Sequence, residues 1–474
     1  MRAPTRRLPY GHSRVLRQEP RILHGSSMRA RVRNRWGKIQ TSFWFIPGLM
    51  SGGSLALAAF LLRIDAHVVP RSTLLTSLSY RGSAEGAVGL LSLIASSMMG
   101  IAGVTFSVTI VALTVASGQF SSRLLRNFMR DLGNQLVLGT YTATFVYCLW
   151  VVNAIHSRTE TDVIPRLSVS AATVLALLGL GVLIFFFHHV STSIQAGQVI
   201  VDAFADLIGS IERLLLDPEA ATDSGSEEED QRRVFVEELD KCLSKSKATP
   251  VASQKTGYIQ AIDHSYLLSI TKRHDIAVQI QARSGDFIIA DSEIVTILSK
   301  EPLEEDLTRE INSAFFVGRN KTAEQDIEFS LDQLVDVAVR ALSPRVNDPG
   351  TAIVCLDYLA AAIGRAASKQ FPSGLYRDDE GSARVFACSF SFRGLCDAAF
   401  LQIRQNSRSS VSVHLRMLEV LDRLAPLVSR SERIESLRHH ADLVYKSCRV
   451  NFTDQSDIED ASLRYAEVQR GLAR

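Results

Sequence analysis

The sequence predicts a membrane α-helical bundle of four transmembrane helices, followed by a C-terminal cytoplasmic α+β region with a small β module and helices. Four segments within the first 201 of the 474 residues are long, apolar and free of charged side chains. About 20 apolar residues are enough to cross a bilayer core of about 30 Å. After residue 201 the pattern changes to short alternating segments and amphipathic helices, which are typical of a water-soluble region.

The charge is divided between the two halves of the chain. Residues 1–201 hold 19 Lys/Arg and 6 Asp/Glu, whereas the remaining residues hold 33 and 44. Phosphate contacts need Lys and Arg, so the acidic C-terminal half argues against a nucleic-acid partner. The predicted partners are the lipid bilayer and a possible second copy of the chain. No cofactor is predicted, and the sequence identifies no small-molecule ligand.

The predicted transmembrane domain covers residues 39–201, with spans at 39–62, 86–116, 134–156 and 167–188. The second span lies in an uncharged run of 37 residues, which would be about 55 Å long as one helix. The tail at 1–38 carries eleven Arg/Lys and one acid, so the positive-inside rule predicts a cytoplasmic N-terminus. Four crossings then return the C-terminus to the same side. The tail is expected to be disordered, and Met28 within it is a second possible translation start.

Small residues in the second span fall within about 80° of the helix circumference. They are Gly89, Ser92, Ser96, Gly100, Gly103, Ser107 and Thr114. We call this face the small-residue stripe. Such residues let helices approach closely in lipid, so packing against the other spans is the favoured interpretation. The alternative is that the stripe lines the pore of an oligomeric ion or solute channel.

A histidine pair, His188 and His189, follows three phenylalanines at the end of the fourth span. We interpret the pair as interfacial polar residues beside an aromatic belt, with pH sensing as the alternative. Adjacent helical residues point about 100° apart, so the pair is not expected to bind one metal ion. No metal site is predicted.

The C-terminal half is expected to contain three parts. A helical connector at 202–245 includes an acidic loop at 217–230, a small β module follows at 246–300, and a mostly helical α+β domain fills 301–474. The alternation of Arg384 to Phe392 predicts a further strand. Asp348 followed by Pro349 predicts the N-cap and first position of a helix that continues to Ala367.

One segment carries a resemblance to a known family. Arg340-Ala341-Leu342-Ser343-Pro344 with Asn347-Asp348-Pro349 resembles the bacterial predicted membrane proteins grouped as domain of unknown function 2254. Further similarity lies in Gly285-Asp286-Phe287, and the resemblance covers roughly residues 35–450. It implies a multi-pass protein of the bacterial cytoplasmic membrane with no assigned activity. The chain departs from the family pattern at Asn320 and Lys321, where Glu and Arg are usual.

The same segment is rich in polar residues. They are interpreted either as a ligand-binding site or as residues that hold the helices together. They are Arg319, Gln325, Asp326, Asp336, Arg340, Asn347 and Asp348. We call them the motif cluster. The ligand would be an anion, a nucleotide or a metal ion, whereas the structural interpretation is a network of hydrogen bonds and ion pairs between helices.

The usual phosphate-binding, zinc-protease and serine-hydrolase motifs are missing from the sequence, so no catalytic residue is named. The leading hypothesis is a membrane protein of unassigned activity whose cytoplasmic domain serves assembly, regulation or ligand sensing. The alternatives are a channel lined by the 86–116 helix and a membrane-bound enzyme that uses the segment from Arg319 to Asp348.

Overall fold

The fold is described from a computed structural model over residues 44–67, 80–119, 132–157, 164–193, 196–217, 228–300, 305–408 and 410–473. The expected N-terminal tail at 1–38 lies outside these residues, as does most of the acidic loop expected at 217–230.

Four long helices form the N-terminal bundle. They are α1 (Phe45–His67), α2 (Ala84–Gln119), α3 (Leu132–His156) and α4 (Arg166–Ser193). The uncharged run folds into one uninterrupted helix as far as Gln119, since α2 has 36 residues and no break. Helix α3 lies at the centre and packs against the other three. On its buried side, the Tyr141 hydroxyl donates a hydrogen bond to the Gly179 carbonyl at 3.2 Å.

The bundle is also held by a cap between two helices that are distant in sequence. Asp65, near the end of α1, accepts hydrogen bonds from the backbone N–H groups of Leu167 and Ser168 at 3.0 and 2.9 Å. Its Oδ2 also accepts a hydrogen bond from the Ser168 hydroxyl at 2.7 Å. These groups lie in the first turn of α4, where backbone donors have no partner within the helix. The cap therefore joins the end of α1 to the start of α4.

The C-terminal part begins with two helices, α5 (Ala196–Leu214) and α6 (Glu228–Lys245). The elements of the β-rich part follow in order. They are β1 (Lys247–Ala252), β2 (Gly257–Ile262), α7 (His264–Arg273), β3 (Ala277–Ile280), β4 (Phe287–Ile288), β5 (Glu293–Ser299), α8 (Glu305–Ser313) and β6 (Phe315–Gly318).

The remaining elements are mostly helical. They are α9 (Ile327–Ala341), α10 (Pro349–Ala367), β7 (Leu375–Arg377), β8 (Ala383–Phe386), α11 (Phe392–Asn406), α12 (Val411–Leu424), α13 (Ser431–Asn451) and α14 (Gln455–Gly471). Helix α5 and helices α9 to α14 share one apolar core.

Two sheets make up the β-rich part. One has the strand order β1-β5-β3-β8-β7 and the other β4-β2-β6. The sheets include three strands from beyond residue 300, so the expected module at 246–300 is not closed within itself. The strand expected at 384–392 ends at Phe386, because Ser391 caps the new helix α11 by accepting a hydrogen bond from the Gly394 N–H at 3.1 Å.

Five of the described helices are long and apolar enough to cross a membrane. They comprise α1 to α4 and also α10. The sequence predicted four spans, and α10 matches them in length and hydropathy. Its buried side chains, including Leu356, Leu359 and Ile363, pack into the C-terminal core.

Candidate functional site

The small-residue stripe faces away from its own bundle. All seven of its residues are exposed, and a Cβ atom added at Gly89, Gly100 or Gly103 would have no neighbour within 4 Å. The opposite side of α2 is buried and includes Leu91 and Met98. The expectation that the stripe packs against the other spans of the same chain is therefore wrong, because larger side chains occupy that contact.

Hydroxyl groups on the stripe are bonded to their own helix. Ser96 donates to the Ser92 carbonyl at 2.9 Å, and Thr114 donates to the Ile110 carbonyl at 2.8 Å. Such bonds satisfy the hydroxyl proton without water or a partner chain. The stripe can consequently contact an apolar surface without leaving these two donors unsatisfied.

Two residues of the motif cluster connect helix α9 to the β-rich part. Gln325 binds the backbone of Ile262 twice, accepting from its N–H at 2.8 Å and donating to its carbonyl at 3.0 Å. Asp326 is the N-cap of α9 and accepts a hydrogen bond from the Phe329 N–H at 3.0 Å. Both side chains thus make the contacts expected of structural residues.

Gly285 of the Gly285-Asp286-Phe287 segment lies directly against Asp326. Its φ is +95°, and a Cβ atom there would be 2.1 Å from the Asp326 Oδ2. Glycine is the residue that tolerates both the positive φ and the close approach. Asp326 is 3% exposed, and burial raises its pKa to about 6. Two segments that resemble the family therefore meet at one buried carboxyl group.

A bidentate ion pair reinforces this contact. The Arg283 Nη1 and Nη2 atoms each lie 2.8 Å from an oxygen of Glu328, in the first turn of α9. The two residues are 45 positions apart and lie in no shared sequence pattern, so sequence analysis missed them. The only local signal was Gly285, which lies two residues after Arg283 in the same turn.

The remaining members of the motif cluster lie elsewhere. Arg319 is exposed after β6, whereas Asp336 and Arg340 lie half-buried in the second half of α9. Asn347 and Asp348 are exposed in the turn between α9 and α10. A 15-residue helix is about 22 Å long, so Asp326 and Asp348 are at opposite ends of α9. The seven residues do not converge on one ligand site.

Asp348 occupies the N-cap position that its sequence predicted. Its Oδ1 accepts from the Thr351 N–H at 3.1 Å, and its Oδ2 accepts from the Thr351 hydroxyl at 2.6 Å. These bonds to Thr351 hold the pKa of Asp348 below its ordinary value. Asn347 precedes it with a φ of +48°, a conformation that asparagine tolerates better than most residues.

Contacts with α5 place the turn between α9 and α10. Ser330, near the start of α9, lies 3.0 Å from Ser210, near the end of α5, so these helices run in opposite directions. Near the ends of α10 and α5, the Arg365 Nε lies 2.5 Å from the Glu212 Oε1, so these two helices run in the same direction. Residues 342–348 therefore lie on the side where α5 begins, next to the end of α4. We call this side the near end and the opposite side the far end.

The predicted interfacial pair lies at the end of α4. His189 stacks on Phe185 with ring centroids 5.3 Å apart, and His188 is exposed. The ranges that the structure describes contain no group of three or more His, Cys, Asp or Glu residues that could hold a metal ion.

Comparison with known proteins places the chain in a family. A family model described as "Predicted membrane protein (DUF2254)" matches residues 40–423. The chain belongs to this family. Uncharacterised proteins of Mycobacterium bovis and Mycobacterium tuberculosis are each 27% identical to this family member over 438 residues, which is 91% of its chain and 81% of theirs. No solved structure was found to match it.

Proposed function

We propose that this membrane protein works as a homo-oligomer in which the small-residue stripe of α2 is the contact between subunits. The C-terminal half is then a cytoplasmic domain that assembles around, and regulates, the helices in the bilayer. The observation that carries the proposal is the orientation of the stripe, which is exposed on the side of α2 opposite the bundle.

The proposal assigns four spans to the membrane, namely α1 to α4. Helix α10 is apolar enough to cross, but its apolar side chains are buried among α5, α9, α11 and α12. Asp357 on α10 also forms a bidentate pair with Arg416 of α12, at 2.8 Å for each hydrogen bond. A charged side chain in the middle of a span is costly in lipid, so Asp357 supports a soluble location for α10. With four spans and a basic N-terminal tail, the positive-inside rule puts both termini in the cytoplasm.

Close approach of small residues supports the assembly. Helices associate in lipid through van der Waals packing, since lipid tails are as apolar as leucine, and glycine and serine let backbones come closest. Three glycines with open space at Cβ lie in one row on α2. A second α2 helix fits such a row better than lipid chains do.

The mass of the purified protein in mild detergent tests the proposal. Light scattering is expected to give a multiple of the chain mass for the wild type. Gly100→Trp places a large ring in the contact, so we expect it to shift the protein to a monomer. Leu177→Trp is the control, because Leu177 lies on α4 and is 65% exposed. A wild-type monomer, or equal effects of the two substitutions, would contradict the proposal.

A channel is the second candidate, favoured by the same outward stripe. Several α2 helices around one axis would direct glycines and hydroxyls towards a shared path. The bonds of Ser96 and Thr114 to their own helix favour a dry contact over a wet pore. If the path conducts, planar bilayers that contain the wild type show currents under voltage or tension, and Ser96→Trp blocks them. An electrically silent wild type would remove this candidate.

A further inference from the structure

Three turns between helices lie at the near end of the helical domain. The first is the turn at 342–348, whose position follows from the contacts of α9 and α10 with α5 described above. Helix α12 runs in the same direction as α10, because Arg416 pairs with Asp357 while Gly364 lies beside Leu424 further along both helices. The start of α12, and with it the end of the preceding segment at Ser407 and Arg408, is therefore at the near end.

The third turn joins α13 to α14. Arg433, near the start of α13, donates to the Lys369 carbonyl at 3.0 Å, beyond the end of α10 and thus at the far end. His414, in the first turn of α12, lies 3.0 Å from the Ser447 hydroxyl near the end of α13. Residues 452–454 consequently join the other two turns at the near end.

Connection to the bundle directs the near end towards the bilayer. Helix α5 starts at Ala196, three residues after α4 ends at Ser193. Helix α9, which ends at the near end, also contacts α2. The near end is thus held beside the segments that leave the membrane, whereas the far end lies one helix length away.

Exposed groups at the near end combine positive charge with apolar surface. Arg345, Arg408 and Arg449 are exposed there. Val346 and Val450, each adjacent to one of these arginines, are 45% and 74% exposed. At a membrane interface both valines would be buried among lipid headgroups instead of facing water.

Two acidic residues at the near end, Asp348 and Asp454, are the N-caps of helices. Asp348 binds Thr351, and Asp454 accepts from the Ser456 N–H at 2.9 Å. Hydrogen bonds to Ser456 hold the pKa of Asp454 below its ordinary value. The backbone at both helix starts thus compensates these carboxylates, while the three arginines are exposed at the same end.

We propose that the near end is a lipid-binding surface that rests on the leaflet from which the C-terminal domain emerges. Guanidinium groups of Arg345, Arg408 and Arg449 pair with the phosphates of anionic headgroups, a geometry that arginine suits. Val346 and Val450 enter the interface between headgroups and acyl chains. The surface depends on the span assignment above, and it is independent of whether the chains self-associate.

Quenching by labelled lipids tests the surface in the full-length chain. Cys242→Ser and Cys388→Ser first remove the two cysteines that are not buried. A fluorophore is then attached at Val450→Cys or, as control, at Leu427→Cys, which is 55% exposed at the far end. In nanodiscs of phosphatidylglycerol with a headgroup spin label, we expect several-fold stronger quenching at position 450. Equal quenching at the two positions would overturn the proposal.

Charge reversal tests the role of the arginines. Arg345→Glu with Arg449→Glu is expected to reduce the quenching at position 450 at least twofold in phosphatidylglycerol. The matched control is Arg423→Glu with Arg470→Glu, two exposed arginines towards the far end, which should leave it unchanged. Phosphatidylcholine nanodiscs should lower the wild-type signal as well. If the near-end reversal has no greater effect than the control, arginine binding to anionic lipid is excluded. Oligomer mass measured in the same nanodiscs reports separately on self-association.

Discussion

Asp326 shows how one buried carboxyl group joins two parts of the C-terminal domain. It caps α9 and fills the space that Gly285 leaves by having no side chain. Burial opposes its negative charge, while the bond from the Phe329 N–H and the charge of Lys321 favour it. Because burial dominates, the raised pKa makes this contact sensitive to pH in the range just below neutrality.

The pH dependence has a definite sign. The pKa of Asp326 rises from 3.8 unfolded to about 6 folded, so the native state binds more protons between these values. Its contribution to the free energy of unfolding therefore falls as the pH rises from about 4 to 6, by about 3 kcal/mol, and is constant above that range. Asp326→Asn keeps a capping oxygen without the charge. We expect its melting temperature relative to wild type to increase across that interval.

Thermal melts in detergent at a series of pH values from 4.5 to 7.5 give this comparison. Subtracting the melting temperature of Asp326→Asn from that of the wild type at each pH removes the contribution of the other titrating groups. Asp326→Ala serves as the control that loses the cap, at a cost of about 1 kcal/mol. A wild-type minus Asp326→Asn difference that does not change with pH would contradict the assignment.

At the scale of elements, local sequence predicted what local physics determines. Asp348-Pro349 predicted the start of α10 because an N-cap and a first-turn proline act within a few residues. The small-residue spacing predicted a single face on α2. Strand β7 was missed although its partner β8 is close in sequence. Strand β6 was missed, and β8 was extended too far, because they pair with strands that are distant in sequence. Val385, for example, pairs with Val278.

Helix α10 offers a test of a single cap. Removing the carboxylate in Asp348→Ala leaves the Thr351 N–H without its partner, so we expect a loss of about 1 kcal/mol in unfolding free energy. Asp348→Asn should recover most of it, because asparagine caps nearly as well. Both values come from chemical unfolding of the full chain followed by circular dichroism. Unchanged stability in Asp348→Ala would show that the cap does not stabilise the protein. It would favour the hypothesis that Asp348 binds a ligand.

At the scale of the whole molecule, the sequence located the small-residue stripe but not the direction it faces. Helical periodicity shows which residues share a face, and it does not show which neighbour that face meets. Larger side chains on the opposite face of α2, such as Met98, fill the contact within the bundle. The motif cluster illustrates the same limit. Its residues are close in sequence, yet α9 separates Asp326 from Asp348 by its full length.

Disulfide cross-linking along α2 in native membranes tests the subunit contact most directly. Single cysteines are introduced at consecutive positions from Gly89 to Ser107 in the Cys242→Ser, Cys388→Ser background. The subunit contact predicts cross-linked dimers with maxima at Ser92, Ser96, Gly100 and Gly103 and minima at buried positions such as Met98. A profile without these maxima, or one that peaks at exposed positions off the stripe such as Phe106, would contradict it.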